Sequence, residues 1–211
     1  MNELYRDDEI LVVVKPAGVV SETEQKGAKC VGDFYPGTRL YAVHRLDRET
    51  AGVMVYALSK KSAAELSAQI REGGFEKRYL AVLRGLLPEK EGVLRDLLVR
   101  DKARNITSVA AGEAEGAKEA ELEYRIKGEN QGLSIADIKL HTGRTHQIRV
   151  QFSSRSAPVY GDGKYGGGRG ETALFAYSLT FTHPETGERM NFTAKPDEES
   201  FPWNLFAEEI G

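Results

Sequence analysis

Residues 10–14, Ile-Leu-Val-Val-Val, form the longest run of branched aliphatic side chains in the chain. Extended to 9–15 and stopped by Pro16 and Gly18, the run predicts a buried strand. Residues 52–58 predict a second strand. Ser59 then has the chemistry of an N-cap. Residues 60–72 place Ala63, Leu66 and Ile70 on one face, and Gly73-Gly74 closes this amphipathic helix. Strands are predicted again over 76–84 and 93–99. Between 119 and 127 the alternation is clean, with Ala120, Leu122, Tyr124 and Ile126 on one face. Residues 133–140 are the expected hairpin partner, across Asn130-Gln131-Gly132. Residues 145–154 predict a short helix, with Ile148 and Phe152 spaced i, i+4. A glycine-rich stretch over 161–170 follows. A terminal hairpin over 172–182 and 189–195 turns through His183-Pro184-Glu185-Thr186-Gly187. Residues 110–120, rich in Ala, Gly and Glu, read as a loop. Many strands, few helices and hairpin-length connections predict an α+β fold: a mixed, largely antiparallel central sheet with flanking helices and loops. No repeat or long linker interrupts the chain, so one domain over 1–211 is expected.

Composition narrows the function classes. A chain of 211 residues can bury a substantial core. Its longest apolar run is far too short to cross a bilayer. The N-terminal residues lack the basic and apolar regions of a signal peptide. The single cysteine, Cys30, excludes an internal disulfide and a multi-cysteine zinc site, and a reduced, cytoplasmic location is expected. The net charge is −3, whereas proteins that coat nucleic acid are usually basic. Local fields matter more than the total. From His141 to Arg155 there are three arginines, two histidines and no acid. Acids gather elsewhere, as at Glu113, Glu115, Glu119, Glu121, Glu123 and Glu129.

The stretch with the most chemistry is Val43-His44-Arg45-Leu46-Asp47-Arg48-Glu49-Thr50-Ala51-Gly52. Asp47 stands between Arg45 and Arg48. Opposite charges a few Å away hold a carboxylate ionised, as a nucleophile or base requires. The same arginines are equally suited to hold phosphates. His141 and His146 are five apart and do not share a helix face, so no metal site is expected there.

Four separated segments combine with this one: Lys15-Pro16-Ala17-Gly18, Lys77-Arg78-Tyr79, His141-Thr142-Gly143-Arg144-Thr145-His146-Gln147-Ile148-Arg149, and Pro158-Val159-Tyr160-Gly161-Asp162-Gly163-Lys164-Tyr165-Gly166. In this order they resemble the RluA-type RNA pseudouridine synthases, from about Leu4 to Pro196. The resemblance implies that Asp47 is the catalytic aspartate, acting as nucleophile or base while the N-glycosidic bond of a target uridine breaks. The freed uracil turns and is rejoined to the ribose through C5. No electrons or phosphoryl groups move, so no cofactor is implied. Arg149 matches the buried basic partner of the aspartate. Tyr79 matches the active-site tyrosine, able to stack on the base and take the C5 proton directly or through water. Arg45 matches the residue that fills the space left by an extruded nucleotide, or else contacts phosphate. Arg48, Arg144, His146 and Arg155 are expected at the RNA, positioning its backbone without reading sequence.

The sequence departs from the family pattern at Gln151 and Phe175, where histidine is common, and at Ala51, where serine is frequent. The extra N-terminal RNA-binding domain of many relatives is not in this sequence. A compact rRNA or tRNA stem-loop, bound by a monomer, is therefore expected as substrate. Two rival readings stand beside this one. One is an RNA-binding module that does not isomerise uridine. The other is a nucleoside or sugar hydrolase, which calls for a second carboxylate, and Asp162 is the candidate.

Overall fold

A computed structural model describes residues 1–22, 27–112 and 114–211. Among them are eleven strands and three α-helices. The chain divides into two compact units, each discontinuous in sequence: Met1–Lys77 with Phe175–Pro196, and Arg78–Leu174 with Asp197–Gly211.

The first unit contains strands β1 (Asn2–Arg6), β2 (Ile10–Lys15), β3 (Tyr41–Ala42), β4 (Ala51–Ala57) and β11 (Arg189–Thr193), with all of β10 (Leu174–Thr182) but its first residue. Its centre is the apolar run of β2, where β-branched side chains suit a pleated, buried surface. β2 pairs antiparallel with β4 from Ile10↔Ala57 to Lys15↔Gly52, and with β1 on its other side. Asp7 closes the β1–β2 turn, its Oδ1 accepting the N–H groups of Glu9 and Ile10, each at 2.8 Å. β4 also meets β3 antiparallel and β10 parallel, and β10 pairs antiparallel with β11. The parallel contact joins Phe175 to Ala51 and Ala176 to Gly52. There the backbones approach so closely that a Cβ on Gly52 would lie 2.3 Å from the Ala176 carbonyl oxygen. Only glycine fits, the more so at a φ of +129°.

Helix α1 (Lys60–Arg71) starts as its N-cap predicts: Ser59 Oγ accepts the Ser62 N–H at 3.1 Å. It lays Leu66 on a core of Ile10, Val12, Val53, Val55, Phe75, Leu179 and Phe181. Phe75 and Phe181 stack at 5.3 Å. Complete burial of a leucine such as Leu66 contributes about 2 kcal/mol.

The second unit contains most of β5 (Glu76–Arg84), with β6 (Glu91–Asp101), β7 (Ile106–Val109), β8 (Lys118–Asn130) and β9 (Leu133–Leu140), in the order β5-β9-β8-β6-β7. The expected β8–β9 hairpin turns through Gln131 and Gly132, both at positive φ, the geometry of a two-residue type I′ turn. Helix α2 (Gln147–Ser153) places Val150 against Leu98 and Ala120. Its Phe152 meets Tyr124 edge-on at 5.6 Å. A 3-10 turn over Trp203–Phe206 and helix α3 (Ala207–Ile210) end the chain.

The sheet is mixed and largely antiparallel, as the patterning predicts. Three strands escape the periodicity. β1 carries no buried residue, β3 has two residues, and β7 buries only Thr107. α2 begins at Gln147 rather than 145 because His146 is left-handed, with φ +54°. Of the expected 110–120 loop, Lys118 to Ala120 belong to β8, and Glu113 lies outside the described residues. Among the described residues, no helix is long and apolar enough to cross a membrane.

Candidate active site

Asp47 sits on the loop that leads into β4, and the backbone on both sides of it is tied down. On its N-terminal side, Ser21 Oγ accepts the Leu46 N–H at 3.1 Å and donates to the Leu46 carbonyl at 3.0 Å. On its C-terminal side, the Gly18 N–H donates to the Arg48 carbonyl at 2.8 Å, and Arg48 Nε returns a bond to the Gly18 carbonyl at 3.1 Å. The Thr50 N–H closes a turn onto the Asp47 carbonyl at 3.1 Å. Leu46 is buried and Asp47 half-buried, while Arg45 and Arg48 are exposed. The loop thus holds a carboxylate in a fixed place with two guanidinium-bearing side chains beside it in the chain.

Beneath the loop lies Lys15, a fully buried lysine. Its ammonium donates to the carbonyls of Val19 at 2.7 Å, Pro16 at 3.0 Å and Arg48 at 3.4 Å. Burial lowers its pKa to about 8, opposed by the negative charges of Asp47 and Glu49. A buried cation needs such partners to stay charged. The Lys-Pro-Ala-Gly segment is therefore the floor of the Asp47 loop. His44 anchors the loop's entry, its Nε2 accepting the Val55 N–H at 3.1 Å and its ring edge-on to Phe75 at 5.8 Å. Burial and the Lys77 charge push its pKa down to about 3, so it is neutral.

In the second unit, Tyr79 is buried on β5. The preceding Arg78 forks onto Asp137 of β9, with Nη2–Oδ2 at 2.7 Å and Nε–Oδ1 at 3.3 Å. Arg149, on the first turn of α2, is almost completely buried. Its Nε donates to Asp162 Oδ2 at 2.6 Å and its Nη2 to Asp162 Oδ1 at 2.8 Å. Asp162 has no exposed surface. A carboxylate so committed is unsuited to act as the second acid of a glycosidase, which removes the basis of the hydrolase reading. Tyr165, three residues on, lies under the guanidinium of Arg149, 5.3 Å from ring centre to Cζ.

The remaining sequence-predicted residues differ in surroundings. Arg144 is exposed, and its Nε donates to the Glu119 carbonyl at 2.7 Å. Arg155 is held by Asp96 at 3.0 Å, which offsets its charge. His146, expected at the RNA backbone, is 7 % exposed, with Nδ1 2.8 Å from Tyr165 Oη. Gln151, which stands where histidine is common in the family, donates to Asp96 Oδ2 at 2.7 Å. Sequence reasoning missed the role of Ser21, which no motif marks, and the Asp162–Arg149 fork, whose partners are thirteen residues apart. Among the described residues, no group of three or more His, Cys, Asp or Glu side chains is placed to hold a metal.

A family profile described as RNA pseudouridylate synthase matches residues 9–154. The chain is 33% identical to the dual-specificity RNA pseudouridine synthase RluA of Yersinia pestis, across 92% of this chain and 98% of that protein. It is 32% identical to the ribosomal large subunit pseudouridine synthase C of Buchnera aphidicola, across 93% of this chain and 67% of that protein. Against the ribosomal large subunit pseudouridine synthase D of Neisseria meningitidis it is 33% identical, but spans only 58% of that longer protein. In fold it is similar to human RNA pseudouridylate synthase domain containing 4, with a TM-score of 0.78 and 21% identity over 99% of this chain and 92% of that one. The chain belongs to the RluA-type RNA pseudouridine synthases, the isomerases that convert uridine to pseudouridine in RNA.

Proposed function

We propose that residues 1–211 act as one catalytic domain that isomerises uridine in a structured rRNA or tRNA, with Asp47 as the catalytic carboxylate. The observation that carries this reading is the Asp47 loop, its backbone pinned at Leu46 and Arg48 over a buried ammonium. A preorganised carboxylate needs no rearrangement when the glycosidic bond breaks, which is where catalytic groups contribute most. Arg149 is the basic partner and Tyr79 the residue that faces the uracil and takes the C5 proton, as the family resemblance implies. Arg45 fills the gap left by the extruded nucleotide, since chemistry on a base requires taking it out of the stack. Arg48 and Arg144, both exposed, hold backbone phosphates. Arg155 contributes less there, because Asp96 already holds it. His146, being buried, orders the start of α2 instead of contacting phosphate.

A relative named for the ribosomal large subunit supports rRNA as a substrate, and one named for dual specificity supports more than one RNA target. The test is to incubate unmodified rRNA and tRNA separately with the protein, digest each to nucleosides and resolve pseudouridine from uridine by chromatography. Pseudouridine from at least one pool is the expected result. Tight, salt-dependent RNA binding without product from either would favour the non-catalytic binding module.

A further inference from the structure

The glycine-rich segment after α2 carries two side chains that reach back to it. Asp162 supplies both carboxylate oxygens to Arg149, through Nε and Nη2. Its Oδ1 also accepts the backbone N–H groups of Lys164 at 3.1 Å and Tyr165 at 3.3 Å. The carboxylate is therefore fixed by its own loop as well as by the arginine. Tyr165 accepts the Thr107 N–H at its Oη, 2.9 Å away, and the same Oη is hydrogen-bonded to His146 Nδ1 at 2.8 Å. Burial raises the Tyr165 pKa, which favours the neutral phenol. The segment also folds back on itself. The Gly161 N–H donates to the Gly167 carbonyl at 3.0 Å, and the Gly167 N–H to the Asp162 carbonyl at 2.8 Å. A Cβ on Gly167 would lie 1.7 Å from the Val159 carbonyl oxygen, so this compact path excludes a side chain there.

We propose that this loop is a positioning element for the RNA isomerisation, in which Asp162 sets the direction of the Arg149 guanidinium and Tyr165 sets the His146 ring. The fork engages the Nε and Nη2 edge and so determines where Nη1 points. A monodentate contact would let the guanidinium pivot; two parallel N–H···O bonds do not. Asp162 has no exposed surface through which to touch RNA, so it acts through Arg149 and is not itself a catalytic residue. The inference rests on the isomerase reading and on Arg149 serving the reaction.

The test compares wild type, Asp162→Asn, Asp162→Glu, Arg149→Lys and the Asp162→Asn/Arg149→Lys double variant on one RNA substrate. A misplacement of about 1 Å in a reacting constellation costs about a hundredfold in rate. Asp162→Asn should therefore lower kcat by about that factor, with KM for RNA changed less than about twofold. The double variant should be no slower than the slower single variant, because residues acting as a unit are non-additive. A folded Asp162→Asn protein with kcat within about threefold of wild type, or multiplied losses in the double variant, would overturn the proposal. If Asp162→Asn does not fold, Asp162→Glu takes its place in the same comparison. An independent readout needs no turnover: the Arg149 Nε–H in a 15N spectrum of wild type, assigned by its loss in Arg149→Lys. Slow hydrogen exchange is expected, and exchange as fast as that of exposed arginines would overturn the fork. If wild type makes no pseudouridine, the isomerase reading fails, while this spectrum still decides the orientation.

Discussion

Replacing Lys15 by methionine removes a charge from a site with no exposed surface while keeping most of the side chain's volume. The lysine's pKa falls from 10.5 in an open chain to about 8 in the folded protein, chiefly through burial. Between these values the unfolded chain binds more protons than the folded one, so stability rises with pH through this window. The full difference is about 3 kcal/mol, at 1.36 kcal/mol for each pK unit. The stability of wild type minus that of Lys15→Met should be flat below about pH 7.5 and should climb by about 2 kcal/mol by about pH 9.5. Other titrating groups are common to both proteins and cancel in the difference. Urea unfolding of the pair, followed by circular dichroism across this range, measures it. In an Asp47→Asn background the climb should begin at lower pH, because the carboxylate that supports the ammonium is gone. A wild-type-minus-variant difference that stays level with pH would mean that Lys15 is not a buried cation beneath the Asp47 loop.

Three further outcomes follow from the geometry. Gly52→Ala drives a methyl group into the Ala176 backbone at a positive φ and should cost about 2–4 kcal/mol in chemical denaturation; a loss below about 0.5 kcal/mol would mean the parallel β4–β10 contact is looser than described. Ser59→Ala removes the α1 cap and should cost about 1 kcal/mol by the same assay, and no change would mean that water replaces the cap. Arg144→Ala should weaken RNA binding uniformly across sequences and lower the slope of log affinity against log salt by about 0.7 to 0.9, one phosphate contact's worth, whereas Arg155→Ala should change it less; equal effects would place Arg155 at the RNA despite Asp96.

Strands with alternating or uninterrupted apolar residues were legible in the chain, because burial on one face or both leaves that signature. β2, β5, β8 and β9 are of this kind. β1 and β7 leave no such trace, since each owes its pairing to a neighbour rather than to its own burial. The α1 boundary was legible in Ser59, a residue whose side chain competes for backbone N–H groups. The α2 boundary was not, because nothing about histidine announces a left-handed φ at 146. In the candidate site, the motif residues themselves stood out. Their supports did not: Ser21 is an ordinary serine in sequence, and Asp162 reads as a loop acid until the fold buries it on Arg149. Long-range pairing of this sort is a property of the tertiary path, and a single chain's local pattern does not encode it.

The most direct test of Asp47 as the catalytic carboxylate is tritium release from RNA labelled at uridine C5, with wild type and Asp47→Ala assayed side by side on tRNA and rRNA. Joining the ribose to C5 must expel that hydrogen, so the assay reports isomerisation without knowledge of the target position. Release by wild type is expected, and none by a folded, RNA-binding Asp47→Ala protein. Release by the variant at a rate near wild type would contradict Asp47 as the catalytic carboxylate.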